Sequence, residues 1–328
     1  MHKKYEYTSV FADFLNEYIQ IHRDAGFKYD NPAYWLYRFD QYCVCANVIE
    51  PVITKTLFNK WGAKSSTETK TTQNNRLQAL RGFSIYINSL GFKSYIPTNL
   101  PKPEKVVPYL MTDNDICEFF EQIDLYKSIP TFATTFNRMA QEYKVLFRLI
   151  YCCGLRNNEA CSLKIQNVDL INGCITLHNT KGNKERIVYL STDLQKLCSD
   201  YLKWLLDDLG SNKTEWLFPG RNPDNHILKT SVDRKFNEFW NSTNASKMCK
   251  KKPTVHCLRH AFVIKRINLW IESGVSINVM MPYLSNYLGH KGPIETYYYY
   301  HQIEDIFKTI RRKDTVSLRV IPEVKYED

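Results

Sequence analysis

Two arginines, two histidines, a lysine and a tyrosine stand in four short motifs whose chemistry converges. Arg156 lies between Gly154 and Glu159; Lys181 opens the run Lys181–Arg186; His256 precedes Arg259 by three residues; and His290 follows Leu288 and Gly289, with Tyr299 nine residues further on. Two guanidiniums can hold the non-bridging oxygens of a phosphodiester through charge-assisted, often bidentate hydrogen bonds. Such contacts count most when extra charge develops in a transition state. Imidazoles can donate to the same oxygens or move a proton near neutral pH. A lysine can protonate a departing oxygen, and a tyrosine hydroxyl is a nucleophile able to join covalently to phosphorus. No carboxylates cluster at metal-ligand spacing, so the set requires no metal and no other cofactor.

Each motif alone has an ordinary reading. Arg156 can simply pair with Glu159 one turn on, Lys181 at a turn is a solvated cation, and His256 with Arg259 makes a polar helix face. Cys249, His256, Cys257 and His260 invite a zinc reading, but their spacings match no zinc pattern and Arg259 would sit against the metal. It is together that the motifs describe a phosphate site.

The elements that must position these residues can be read from periodicity. Residues 9–21 carry apolar side chains near helical spacing, an aromatic-rich helix runs from about Ala33 to Val48, and another spans Thr71 to Leu90 before Gly91. The stretch 97–108 holds four prolines and cannot be helical, so it is the expected linker. It divides a helical domain, 1–100, from a larger domain, 109–328, with 101–108 between them. Beyond it, Thr112 and Asp115 read as a capping box opening a helix to about Tyr126, followed by a long apolar helix from about Ala133 to Cys153. A short helix carries Glu159 and Leu163. Two strands, 173–178 and 186–190, flank a Gly- and Asn-containing turn that bears Lys181, and the rest is mostly helical. The expected fold class is mainly α with a small antiparallel sheet.

Composition bounds the function. The chain of 328 residues is 44% hydrophobic, enough for two cores, and carries a net charge of +10. There are 14 basic against 9 acidic residues through Val107 and 30 against 25 after it, so both parts are basic, which suits a polyanionic partner. No run is apolar enough for a membrane span and no signal peptide is evident, so a soluble, cytoplasmic, nucleoid-associated protein is expected. The ten cysteines include no CxxC pair and read as reduced thiols.

With these residues assembled, the sequence resembles the tyrosine recombinases, or phage integrase family. Arg156, Lys181, His256, Arg259, His290 and Tyr299 fill the family's catalytic order of Arg, Lys, His-x-x-Arg, His or Trp, and Tyr. The spacings also agree, with Lys181 25 residues past Arg156 and Tyr299 nine past His290. The resemblance implies that Tyr299 attacks a scissile DNA phosphate to give a 3′-phosphotyrosyl link and a free 5′-hydroxyl. Arg156 and Arg259 would bind the phosphate oxygens with His256 and His290 assisting, and Lys181 would protonate the departing oxygen. Glu159 matches an acidic position that supports the site. Tyr299 lies in the run Tyr297–Tyr300, whose other members are expected to pack, and Lys184 is a second candidate for the hairpin lysine.

The resemblance further implies a helical core-binding domain that clamps DNA opposite a catalytic α+β domain, with no arm-site module ahead of it. Lys70, Thr71, Gln73 and Arg76, at the head of a helix, are its candidate phosphate contacts, and Lys184 is another on the hairpin. The implied partners are double-stranded DNA with inverted-repeat core sites and copies of the chain itself, forming a tetramer on two duplexes. The apolar stripe Ile303, Ile306, Phe307 and Ile310 would dock either on its own domain or on a neighbouring subunit. The expected activity is that of a mobile-element integrase or transposase. Alternatives are an Xer-like chromosome or plasmid resolvase, a type IB topoisomerase, and a non-catalytic, sequence-specific DNA-binding protein on the same fold.

Overall fold

In a computed structural model, residues 4–103, 108–127, 133–178, 185–210, 213–249, 251–290 and 292–300 are described, with the side chains of 133–137 and 298–300 left aside. The chain divides into two compact units, Met1–Val106 and Val107–Asp328. The fold is mostly helical with one small antiparallel sheet, the expected class. Among the described residues, no helix is long and apolar enough to cross a membrane. All ten cysteines are free thiols.

Among its described residues the first unit has four helices, α1 (Ala12–Asp24), α2 (Asp30–Cys45), α3 (Lys55–Gly62) and α4 (Lys70–Ser89). Their apolar stripes meet in a core that includes Phe11, Leu15, Leu36, Phe39, Leu80 and Phe83, each without solvent exposure. Asp40, equally buried, accepts hydrogen bonds from the backbone N–H groups of Thr8 (2.9 Å) and Ser9 (3.0 Å), tying the entry of α1 to the middle of α2. Thr54 and Thr69 cap α3 and α4 by accepting from the N–H groups of Leu57 and Thr72, both at 3.1 Å.

The short helix α3 is absent from the sequence expectation, and it changes the reading of Arg76. That residue was a candidate for DNA phosphate, but its guanidinium is buried and turned inward. Its Nε and Nη2 donate to Glu68 at 2.7 and 2.9 Å, Nη2 donates to the Ala63 carbonyl at 2.8 Å, and Nη1 donates to the Trp61 carbonyl. Arg76 thus satisfies the orphan carbonyls at the end of α3, and its side chain lies over the Trp61 ring. Its hydrogen bond also lowers the Glu68 carboxyl below its usual range. Gln73 is likewise engaged, donating to the Gly62 carbonyl at 2.9 Å, whereas Lys70 and Thr71 are on the surface.

The second unit begins with α5 (Asp113–Leu125), opened by the reciprocal capping box of Thr112 and Asp115. Then come α6 (Ala133–Cys153) and α7 (Asn157–Cys161), with Leu163 just past the end of α7 rather than on it. The sheet follows, with β1 (Val168–Asp169), β2 (Cys174–Leu177) and β3 (Arg186–Tyr189) in that spatial order. The expected pair of strands is present, each slightly shorter, and β1 is an addition. The register sets Ile175 opposite Val188 and Leu177 opposite Arg186. The turn of this hairpin, with Lys181 and Lys184, lies outside the described residues.

The remaining elements are α8 (Thr192–Leu209), α9 (Lys229–Asn241), α10 (Ala245–Met248), α11 (His256–Glu272), α12 (Ile277–Leu288) and α13 (Ile294–Tyr300). The central helix α6 packs against α5, α8 and α11, and its Phe147 joins Phe119, Phe236 and Trp240 in an aromatic core. A second apolar cluster, including Phe262, Ile267, Met281 and Leu288, holds α11 to α12, and Tyr297 of α13 packs against it.

Gly154 makes the break between α6 and α7. Its φ is +63°, and a Cβ there would lie 2.6 Å from Phe262 Cδ1, 2.9 Å from Cε1 and 3.3 Å from Leu288 Cδ2. Gly154→Ala is therefore expected to lose about 2–4 kcal/mol, from left-handed backbone strain and overpacking together. Urea unfolding would read this as a lower midpoint at unchanged slope, and an unchanged midpoint would contradict it.

Candidate active site

Helix ends build the site. Three carbonyls, those of Gly154 at the end of α6 and of Leu288 and Gly289 at the end of α12, have lost their helical donors. Arg259, on the first turn of α11 and wholly buried, donates through Nη1 to the Gly154 carbonyl and through Nη2 to the Leu288 carbonyl, both at 2.7 Å. Arg156, the N-cap residue of α7, donates through Nη2 to the Gly289 carbonyl at 2.8 Å. The two guanidiniums therefore rest on successive carbonyls of one turn, with the partial negative charge of helix C-termini beneath them.

His290 follows that turn, which Gly289 makes with φ +64°. Its Nε2 lies 3.0 Å from Arg259 Nη2, and its Nδ1 lies 2.9 Å from the Thr296 hydroxyl. An arginine can only donate, so Nε2 accepts and the ring proton sits on Nδ1, donated to Thr296. Burial, then the Arg259 and Arg156 charges, push the His290 pKa down to about 4, so the ring is neutral at pH 7. His256 opens α11 and is exposed. Its pKa is lowered for the same reasons, by the protein behind it and by Arg259 and Arg156. The ring of His260, buried one turn along, meets it edge to face at 4.5 Å between centroids. Cys257, on the same turn, is buried with its Sγ accepting from the Thr254 N–H at 3.4 Å.

Glu159 is the hub beneath Arg156. Its Oε2 accepts from the Arg156 N–H (2.9 Å) and from Arg186 Nη2 (2.7 Å). Its Oε1 accepts from Arg156 Nη1 (2.8 Å) and Arg186 Nη1 (2.9 Å). Burial works against this charge, but the two arginines outweigh it and hold the carboxyl at about 2. Beside Arg156 and His256 is a hollow of about 590 Å³, where Asn157 and Lys229 both donate to Asp233, at 2.8 and 2.9 Å.

The structure thus brings Arg156, Glu159, Arg259 and His290 into one hydrogen-bonded cluster, with His256 at its edge. Tyr299 is on α13, three residues after the Thr296 that binds His290; its side chain and Lys181 lie outside what is described. Sequence reasoning assigned no role to Arg186, Thr296, Asp233 or Lys229. Arg186 carried one usable signal, a charge at an inward position of a strand.

Residues 123–305, which span every member of this cluster, match the phage integrase family. Over 310 residues the chain is 26% identical to a protein of Sinorhizobium fredii provisionally named integrase/recombinase y4rB, covering 93% of this chain and 97% of that one. It is 27% identical over 240 residues to the tyrosine recombinase XerD of Brucella abortus, covering 72% and 73%. Among solved structures, the XerH site-specific recombinase bound to a palindromic difH substrate in a post-cleavage complex is similar in fold, with a TM-score of 0.63 at 22% identity over 93% of this chain and 84% of that one. A family match over more than half of the chain, containing the joined arginines and histidine, leads to one conclusion: the chain belongs to the phage integrase family, the tyrosine recombinases.

Proposed function

We propose that the protein is a site-specific DNA recombinase that cuts and rejoins strands through a 3′-phosphotyrosyl intermediate. The observation that carries this is the pair of guanidiniums seated on the adjacent Leu288 and Gly289 carbonyls, with His290 bonded to one of them. Two fixed, always-charged forks side by side suit the two non-bridging oxygens of a phosphodiester. They gain in strength as the phosphorus becomes pentavalent and its oxygens take on more charge.

In this reading the Tyr299 oxygen attacks phosphorus as the bond to the 5′ oxygen breaks. The phenolic proton passes to a neutral imidazole, a role this reading gives to His256, and Lys181 gives a proton to the 5′ oxygen. One phosphodiester is exchanged for another, so the step reverses with a partner strand's 5′-hydroxyl without ATP. Lys70, Thr71 and Lys184 remain candidates for DNA backbone contacts, and Lys229 joins them.

Double-stranded DNA with inverted-repeat core sites is the substrate, and a tetramer the working assembly. An apolar cleft of about 500 Å³, lined in part by Tyr151, Phe262, Leu269, Trp270, Leu284 and Tyr287, offers a seat for the stripe Ile303, Ile306, Phe307 and Ile310, which this reading docks from a neighbouring copy. Those stripe residues lie outside the described ones. The integrase/recombinase of S. fredii, matched over nearly the whole of both chains, supports the mobile-element reading, and the matches to XerD and XerH support the Xer-like alternative.

The test is covalent trapping on nicked duplexes from DNA flanking the gene, without added metal, with wild-type protein and Tyr299→Phe. The expected result is a protein–DNA adduct mapping to Tyr299 and lost in the variant. An adduct on Tyr297, Tyr298 or Tyr300 would reassign the nucleophile. Specific binding without any adduct would favour the non-catalytic DNA-binding reading.

A further inference from the structure

Arg186 lies outside the six residues to which the chemistry was assigned, yet its geometry ties it to them. In β3 burial alternates, with Arg186 and Val188 buried and Ile187 and Tyr189 exposed, so strand pleating directs position 186 inward. A buried guanidinium needs a partner, and this one takes both oxygens of Glu159, at 2.9 and 2.7 Å. The same two oxygens bind Arg156 through its backbone N–H and its Nη1. A carboxylate has about four lone-pair sites. All four directions are filled, two by each arginine, so Glu159 cannot rotate without breaking bonds on both sides.

Two further observations point the same way. A Cβ at Gly289 would lie 3.1 Å from Arg186 Nη1 and 3.4 Å from Arg156 Nη1, so both guanidiniums pack under the glycine whose carbonyl holds Arg156. The charges also run in the right direction, since Arg186 offsets the Glu159 carboxylate and so keeps it from cancelling the positive charge that Arg156 and Arg259 offer a phosphate.

We propose that Arg186 is a positioning residue for strand cleavage: it clamps Glu159 so that Arg156 is held at the angle the scissile phosphate requires. Because Arg186 begins the strand that follows the Lys181 turn, the clamp also anchors the base of that hairpin to the arginine pair. The inference rests on the reading of this site as a phosphodiester-transfer centre.

The test uses the full chain with Arg186→Met and Arg186→Lys, alone and combined with Glu159→Gln. Three quantities are read, namely thermal unfolding, affinity for a nicked duplex, and the single-turnover rate of adduct formation at saturating protein between pH 5 and 8. Arg186→Met is expected to bind DNA within a few-fold of wild type yet form adduct about 100-fold more slowly, the scale of a misplaced reacting group. Arg186→Lys should recover part of that rate. The acid-side fall of the Arg186→Met profile should move to higher pH, because Glu159 loses the cation that most lowers its pKa. On the Glu159→Gln background, Arg186→Met should add little further loss.

A wild-type rate in Arg186→Met overturns the inference. So does a loss of equal size on both backgrounds, or a rate loss matched by an equal loss of DNA affinity. If the methionine variant does not fold, the lysine variant decides, and a wild-type rate and profile there also overturn it. Failure of the wild-type protein itself to form adduct on DNA that it binds would instead sink the recombinase reading.

Discussion

Arg259→Ala is expected to lower the single-turnover rate of adduct formation by on the order of 10²–10³-fold or more, the scale of removing one preorganised donor from a developing oxyanion. The same substitution should also weaken the fold. Arg259 is wholly buried, and its loss strips the donors from the Gly154 and Leu288 carbonyls and opens a cavity between α6, α11 and α12. An unmet buried carbonyl costs about 1–3 kcal/mol, so a drop of several kcal/mol is expected. Arg259→Lys separates the two effects. It keeps the charge and most of the volume but cannot bridge two carbonyls and a phosphate at once, so its stability should recover further than its rate. Adduct formation by Arg259→Ala within tenfold of wild type would show that the Arg259 guanidinium does not serve the reacting phosphate.

Stability of the DNA-free protein is expected to fall steeply as pH drops from 7 to 5. His290 and His260 are buried, and their pKa values are pushed down to about 4 and about 3, first by burial and then by nearby cations: Arg259 and Arg156 around His290, His256 and Arg259 around His260. A histidine with a depressed folded-state pKa contributes stability that is complete above its unfolded value, near 6.5, and is lost as pH falls towards its folded value. Each buried imidazole contributes roughly 1.4 kcal/mol per pH unit in that window, so about 4 kcal/mol is lost from the pair by pH 5. Glu159 does not share this window, because its stabilisation persists until pH drops below the ordinary carboxyl range. DNA should reverse the trend, since a phosphate anion beside His290 offsets the arginines and lets the ring take up a proton. Melting temperatures across pH 5–7.5, with and without a cognate duplex, test both halves. A flat profile in the free protein would mean that these rings are not buried neutral.

Local features were legible in the sequence, and features that depend on distant partners were not. The capping box of Thr112 and Asp115 involves two residues three apart, and the structure forms it as read. The hairpin strands declared themselves by the Gly- and Asn-bearing turn between them. Helix α3, at eight residues, is too short for periodicity to register, and β1 has only two residues. Missing α3 carried a consequence, because Arg76 looked like a surface cation as long as the helix whose end it caps was unseen. The order and spacing of Arg156, His256, Arg259 and His290 are visible in one dimension, and the structure brings them together. What holds them is not visible there. Glu159 and Arg186 stand 27 residues apart, and the carbonyls under the arginines belong to residues 154, 288 and 289.

Those carbonyls bear on how such a site survives sequence drift. Every residue type carries a carbonyl, so the acceptors that aim Arg156 and Arg259 persist whatever side chains surround them. Substitution is constrained where the turns demand positive φ, at Gly154 and Gly289, and where side chains rather than carbonyls hold Arg156, at Glu159 and Arg186. A relative that differs at about three quarters of its aligned positions can therefore keep the same scaffold for its arginines. In the proposed reading, side chains that face DNA can diversify while the carbonyls that hold the two arginines stay constant.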